Sequence, residues 1–138
     1  MVDALSRARK WLAPDGVVVD IRPAESVPRL ELVLSDGSVL FVGEPVVGEE
    51  RRGRHRNADA ALRIALERGL FDVKDPRQFS FFYYADSLPE LRDHLATRWR
   101  DTHIDDETDA RVVAEMSRYP EALLRLHEQV GIRTLVPR

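Results

Sequence analysis

The chain has 138 residues, a net charge of −3 and no cysteine. Its length suits one core that buries roughly two-thirds of the unfolded surface, and the missing thiols exclude cysteine catalysis, zinc–cysteine sites and disulfides together. The acidic balance argues against general nucleic-acid affinity, and a charged, amphipathic first segment with no run of membrane-spanning length leads to the expectation of a cytoplasmic protein with no membrane partner.

Val2, Leu5, Ala8 and Leu12 recur at helical spacing, with Trp11 beside them and Arg7, Arg9 and Lys10 opposite, so a helix is expected with Asp3 as its N-cap. Pro14 and Gly16 stop it. Val17, Val18, Val19 and Ile21 then fit a pleated strand, and the unbroken apolar run predicts an internal strand covered on both faces. Further on, Leu30 to Leu34 and Val39 to Val42 flank Asp36-Gly37, a dipeptide that favours a primed hairpin turn. Leu30, Leu32 and Leu34 make one face of this hairpin apolar, so it is expected to cover a sheet edge or an open sheet face.

Residues 43–56 read as a long irregular connection. Gly43 and Gly48 have phosphate-loop spacing, but Glu49 and Glu50 stand where a lysine and a hydroxyl are needed, which rules that motif out. Arg51, Arg52, Arg54 and Arg56 follow, around Gly53 and His55. Guanidinium forks suit anions, so these four arginines are candidate anion-binding residues; the alternative is a solvated loop salted against Glu49 and Glu50. Asn57 caps a helix whose stripe is Ala58, Ala61, Leu62, Ala65 and Leu66, with Gly69 at its left-handed end.

Through residues 74–77 the chain enters an aromatic strand, residues 78–84. Phe79, Phe81 and Tyr83 point one way, Phe82 and Tyr84 the other; the first three are candidates for a ligand-lining wall, or core. Ser87-Leu88-Pro89-Glu90 is a capping box. Leu88, Leu91, Leu95 and Trp99 continue it as a buried stripe. Asp101, His103, Asp105, Asp106 and Glu107 have metal-ligand residue types without a ligand spacing, and Asp105 or Asp106 serves better as the cap of the next helix, so no metal is assigned. That helix is expected to bury Ala110, Val113 and Met116 and to break at Pro120. Residues 121–130 read as one more helix, with Leu123, Leu124, Leu126 and Val130 apolar, His127 on its flank and Gly131 at its end. No G-x-S-x-G elbow and no H-E-x-x-H helix occurs, so no motif points to a hydrolase and no catalytic residue is assigned.

The helix, then Leu12-Ala13-Pro14-Asp15-Gly16, then Val17-Val18-Val19-Asp20-Ile21 resembles a region of the Rossmann-like class I S-adenosylmethionine-dependent methyltransferases. There, a helix and a Leu-x-Pro-Gly-Gly-like turn feed the fifth strand. Gly16 matches the second glycine of that turn, and Asp15 replaces the first. The helix at 57–68, the Gly69-Leu70-Phe71 step and the strand at 79–84 are similar to the family's next helix and sixth strand, and residues 131–136 to its seventh. In that family the first half of the sheet holds the cofactor, through a Gly-rich turn and an acidic residue. The seven glycines here include no G-x-G pair. The resemblance therefore implies a C-terminal half lacking the cofactor-binding N-terminal half.

The expected fold is a single α/β (or α+β) domain over residues 1–138, with a mixed β-sheet of about four to five strands, a hairpin among them, and helices packed on it. The expected function is that of a non-catalytic methyltransferase-related module acting through self-association as a homodimer, or through another protein chain, because the strand at 17–21 reads as internal yet has no neighbour. Two alternatives stand beside it. One is an S-adenosylmethionine-dependent methyltransferase subunit or fragment whose cofactor half comes from a partner. The other is a small-ligand or anion binder using the aromatic strand and the Arg-rich loop. No cofactor is expected on the isolated chain.

Overall fold

A computed structural model describes residues 2–138. Among them are four helices and seven strands: α1 (Val2–Trp11), β1 (Val18–Pro23), β2 (Arg29–Val33), β3 (Val39–Gly43), β4 (Val46–Val47), α2 (Glu49–Glu67), β5 (Phe71–Ala85), α3 (Leu88–Arg98), β6 (Thr102–His103), α4 (Asp106–Arg118) and β7 (Leu123–Pro137). Five strands form one sheet in which β1, β2 and β5 each pair with β7, and β3 pairs with β2; β4 and β6 form a small second sheet. The pairings of β1 and β2 with β7, and of β2 with β3, are antiparallel. The α/β class, the hairpin and the helices on a sheet are all as expected. No helix among the described residues is long and apolar enough to cross a membrane.

The chain divides into two compact units, one made of residues up to Glu25, Gly53–Phe79 and Val130–Arg138, the other of Ser26–Arg52 and Ser80–Gln129. In the first, β1 runs against β7 from Val18 opposite Leu135 to Pro23 opposite Val130. Leu62, Phe71 and Leu135 form its buried centre, with Leu5, Leu12, Val18, Leu66 and Leu70 packed against them. This accounts for the amphipathic stripe of α1, although the side chain of Val2 lies outside those described. Helix α2 ends as its sequence dictates: Gly69 takes a φ of 65° and Leu70 N–H reaches back to the Ala65 carbonyl at 3.0 Å, the left-handed ending that a residue without Cβ adopts freely. Strand β5 begins at once and continues through residues 74–77, with Asp75 at a φ of 48° as a local kink.

One expectation for this unit fails. Strand β1 is covered on one face only: Val18 packs in the core, whereas Val17, Val19 and Ile21 are 44%, 51% and 57% exposed. A β-branched run satisfies a strand's backbone preference whichever face is packed, so an unbroken apolar stretch does not by itself require a second layer.

In the second unit Leu30 lies opposite Leu126 and Leu32 opposite Leu124. These four join Val42, Ala85, Leu88, Leu91, Leu95, Trp99 and Val112 in one buried cluster between strands and helices. The hairpin turn includes Asp36-Gly37 but is not the expected primed turn: only Gly37 is left-handed, at a φ of 82°, Gly37 N–H reaches the Leu34 carbonyl at 2.9 Å, and the Asp36 carboxylate accepts from the Ser38 N–H at 2.9 Å. Two of the four capping expectations hold, at Ser87 and Asp105; Asn57 lies inside α2 and Asp3 within the first turn of α1, so neither is an N-cap. Ser87 Oγ accepts from Glu90 N–H at 3.2 Å, and Asp105 Oδ1 accepts from Thr108 N–H at 2.8 Å.

Three other expectations are corrected here. Residues 49–56 are the first turns of α2 rather than an irregular connection, because Asp101 supplies the start: its carbonyl receives Gly48 N–H at 2.7 Å and its carboxylate receives Glu50 N–H at 2.9 Å. Residues 121–130 are not a helix; from Leu123 they belong to β7, with Leu124 and Leu126 buried on alternate positions. In α4 the buried residues are Thr108 and Val112, while Ala110 and Val113 face solvent. Of the acidic cluster, Asp101 and Asp105 are used in these helix starts. Among the described residues no group of three or more His, Asp or Glu side chains is placed to hold a metal ion.

Candidate functional site

Because Leu124 and Leu126 point into the core of the second unit, strand alternation puts Arg125, His127 and Gln129 on the opposite face of β7, and Glu31 on the same face of β2. That face is open to solvent at Val39, Phe41, Tyr84 and Leu123. Across it runs a connected set of polar side chains. Glu31, only 4% exposed, sits directly opposite Arg125 and receives its Nε and its terminal nitrogen on Oε2, each at 2.8 Å. The other oxygen, Oε1, lies 3.0 Å from His127 Nδ1. The far ring nitrogen of His127, Nε2, is 2.9 Å from Ser80 Oγ on β5, and Gln129 donates to the same Oγ at 2.9 Å.

Aromatic rings fix this set from the side. The Arg125 guanidinium lies 4.1 Å above the Phe82 ring and donates to Tyr84 Oη at 3.2 Å; Phe82 is also 4.6 Å from the His127 ring. Burial alone would raise the Glu31 carboxyl, but its hydrogen bonds from His127 and Arg125, together with the Arg125 charge, outweigh that and hold it below the usual glutamate range. On the helix-covered face the neighbouring Glu128 behaves oppositely. Burial pushes it up, more than the charge and the 3.2 Å hydrogen bond of Arg51 pull it down.

The first unit offers an open cleft of about 470 Å³ lined by Arg22, Asp59, Leu62, Gln78, Gly131 and Arg133 among others. Its guanidiniums are already engaged: Arg22 meets Asp20 at 2.8 Å and Asp59 at 2.9 Å, and Arg133 meets Asp20 at 3.0 Å.

The candidate arginines do not share one loop. All four lie on α2, with Arg51 and Arg52 in the second unit and Arg54 and Arg56 in the first. Arg51 is committed to the interior, 3.9 Å above the Trp99 ring and bonded to Glu128; Arg52 is exposed, and Arg54 and Arg56 each have interaction partners. Of the candidate wall, Tyr83 stacks on His94 at 3.6 Å and bonds Glu90 at 3.1 Å, while Phe79 and Phe81 are exposed. Sequence reasoning missed Glu31, Ser80, Arg125 and Gln129, and placed His127 on a helix. The signal lay in period two: apolar Leu124 and Leu126 alternate with Arg125 and His127.

No family model matches the chain, and comparison with curated proteins and with solved structures finds no significant relative.

Proposed function

We propose that this chain is a methyltransferase-related module without a cofactor site of its own, acting by pairing with a second copy of itself along β1. The observation that carries this is the state of β1, which among the described strands pairs with β7 alone and shows Val17, Val19 and Ile21 to solvent beside its free edge. A free edge presents unpaired N–H and C=O groups that template another strand. The sequence of β1 suits its own antiparallel copy. A register centred on Ile21 sets Asp20 opposite the second copy's Arg22 and leaves Pro23, which has no N–H to donate, at the strand end. The resemblance to a methyltransferase C-terminal half is supported by strand pairing: the segments matched to three successive family strands, residues 17–21, 79–84 and 131–136, fall in or against β1, β5 and β7, which are joined through β7.

Amide hydrogen exchange over a concentration series tests the pairing. The outward amides of β1 are expected to slow as the chain is concentrated. Fast exchange there at every concentration, with β7 protected throughout, contradicts it, as does protection that develops only when a different protein is added.

A further inference from the structure

We propose that Ser80 is a nucleophile activated by His127 and oriented through Glu31, giving the chain an acyl-transfer activity toward small activated carboxylic esters. The site lies wholly in the second unit and does not rest on self-association at β1. Three laterally adjacent strands supply the parts: the carboxylate from β2, the imidazole from β7 and the hydroxyl from β5. Side chains on neighbouring strands stand about 5 Å apart on one face, so an imidazole on the middle strand can bridge the outer two.

Donor and acceptor arithmetic fixes the direction of that bridge. An ionised Glu31 can only accept, so His127 Nδ1 carries the hydrogen that spans 3.0 Å to Oε1. The lone pair of Nε2 then faces Ser80 Oγ at 2.9 Å and the Gln129 amide nitrogen at 3.2 Å, and the hydroxyl, at the shorter distance, donates into it. Gln129 occupies an acceptor position of the same Oγ at 2.9 Å. A hydroxyl within reach of a base that is itself held by a third group meets the geometric requirement for an activated nucleophile. Burial runs in the useful order as well: Glu31 is buried, His127 is half-buried and Ser80 is exposed where an ester can reach it.

Ser80 Oγ bonds to the ester carbonyl carbon as its proton passes to His127 Nε2. The carbonyl oxygen takes up the negative charge beside the Gln129 amide. The tetrahedral intermediate then expels the alkoxide, which leaves with the proton from His127. Water, deprotonated by the same imidazole, attacks the acyl-Ser80 ester and releases the carboxylic acid. Ser80 and His127 are the catalytic residues, and Glu31 is a positioning residue.

The full chain is incubated with a fluorophosphonate probe and, separately, with p-nitrophenyl acetate. One adduct per chain is expected, mapped by peptide mass spectrometry to Ser80. It should be lost in Ser80→Ala and His127→Gln, with ester turnover falling about a hundredfold in each. Glu31→Gln should lower kcat with KM unchanged, a split that loss of packing alone would not give, and Glu31→Asp should recover part of it. Ser80→Ala removes one exposed hydroxyl, so folding is expected to survive and is checked by circular dichroism. No adduct on the wild-type chain, or an adduct and turnover that persist in Ser80→Ala, overturns the proposal.

Discussion

Glu31 and Glu128 are buried carboxylates on opposite faces of the second unit's sheet, and their surroundings drive them apart. Glu31 is held below its ordinary value, so its contribution to stability is complete above that value and is lost as pH falls through the lower folded one. Glu128 is pushed up, so the fold is favoured while it is protonated and loses that contribution as pH rises through its higher folded value. Urea unfolding between acid and neutral pH should therefore respond in opposite senses: Glu31→Gln flattens the gain in stability on leaving acid, and Glu128→Gln removes a loss. Identical pH profiles for the two variants would contradict both assignments. At the same scale, Ser87→Ala should cost about 1 kcal/mol by removing the acceptor for Glu90 N–H. Local features of this kind were readable from sequence, because a cap such as Ser87 or a turn such as Asp36-Gly37 uses partners only a few residues away.

Elements were readable where their causes are local and unreadable where they are distant. Helix α2 starts at Glu49 because Asp101, far along the chain, receives Gly48 N–H and Glu50 N–H; Glu49 and Glu50 suit a first turn, but the group that caps it is distant. Strand β7 was misread because Leu123, Leu124, Leu126 and Val130 satisfy a helical stripe nearly as well as Leu124, Leu126 and Val130 satisfy period two. What decides it is pairing with Leu30 and Leu32 on another segment. The polar set of Glu31, Arg125, His127 and Ser80 was at best partly legible for the same reason: period two could mark Arg125 and His127, but the other members come from two separated strands. For α2, the position of Arg51 over Trp99 and against Glu128 predicts that Arg51→Ala costs about 2–4 kcal/mol by leaving a buried carboxylate without its partner. The exposed neighbour serves as control: Arg52→Ala should stay within about 0.5 kcal/mol. Equal effects of the two substitutions in denaturant unfolding would contradict the interior role of Arg51.

At the scale of the whole molecule, the proposal makes two claims: that the chain lacks a cofactor site of the methyltransferase kind, and that its β1 edge pairs with a second copy. Calorimetric titration of S-adenosylmethionine and S-adenosylhomocysteine into the purified chain should give no binding heat. Saturable heat at one site per chain would revive the reading of a methyltransferase with its own pocket. The edge carries the larger share of the proposed function, and its exposed residues can be changed with little cost to the core, since Val19 and Ile21 already stand in solvent. A lysine there guards a strand edge and opposes a like charge in the antiparallel copy. Sedimentation velocity of the wild-type chain and of Ile21→Lys, run over the same concentrations with circular dichroism to confirm folding, is the most direct measurement. A two-chain mass for the wild type that falls to a one-chain mass in Ile21→Lys is the predicted result; a wild-type chain that stays at one-chain mass throughout, or a two-chain mass that Ile21→Lys leaves unchanged, would contradict pairing through β1.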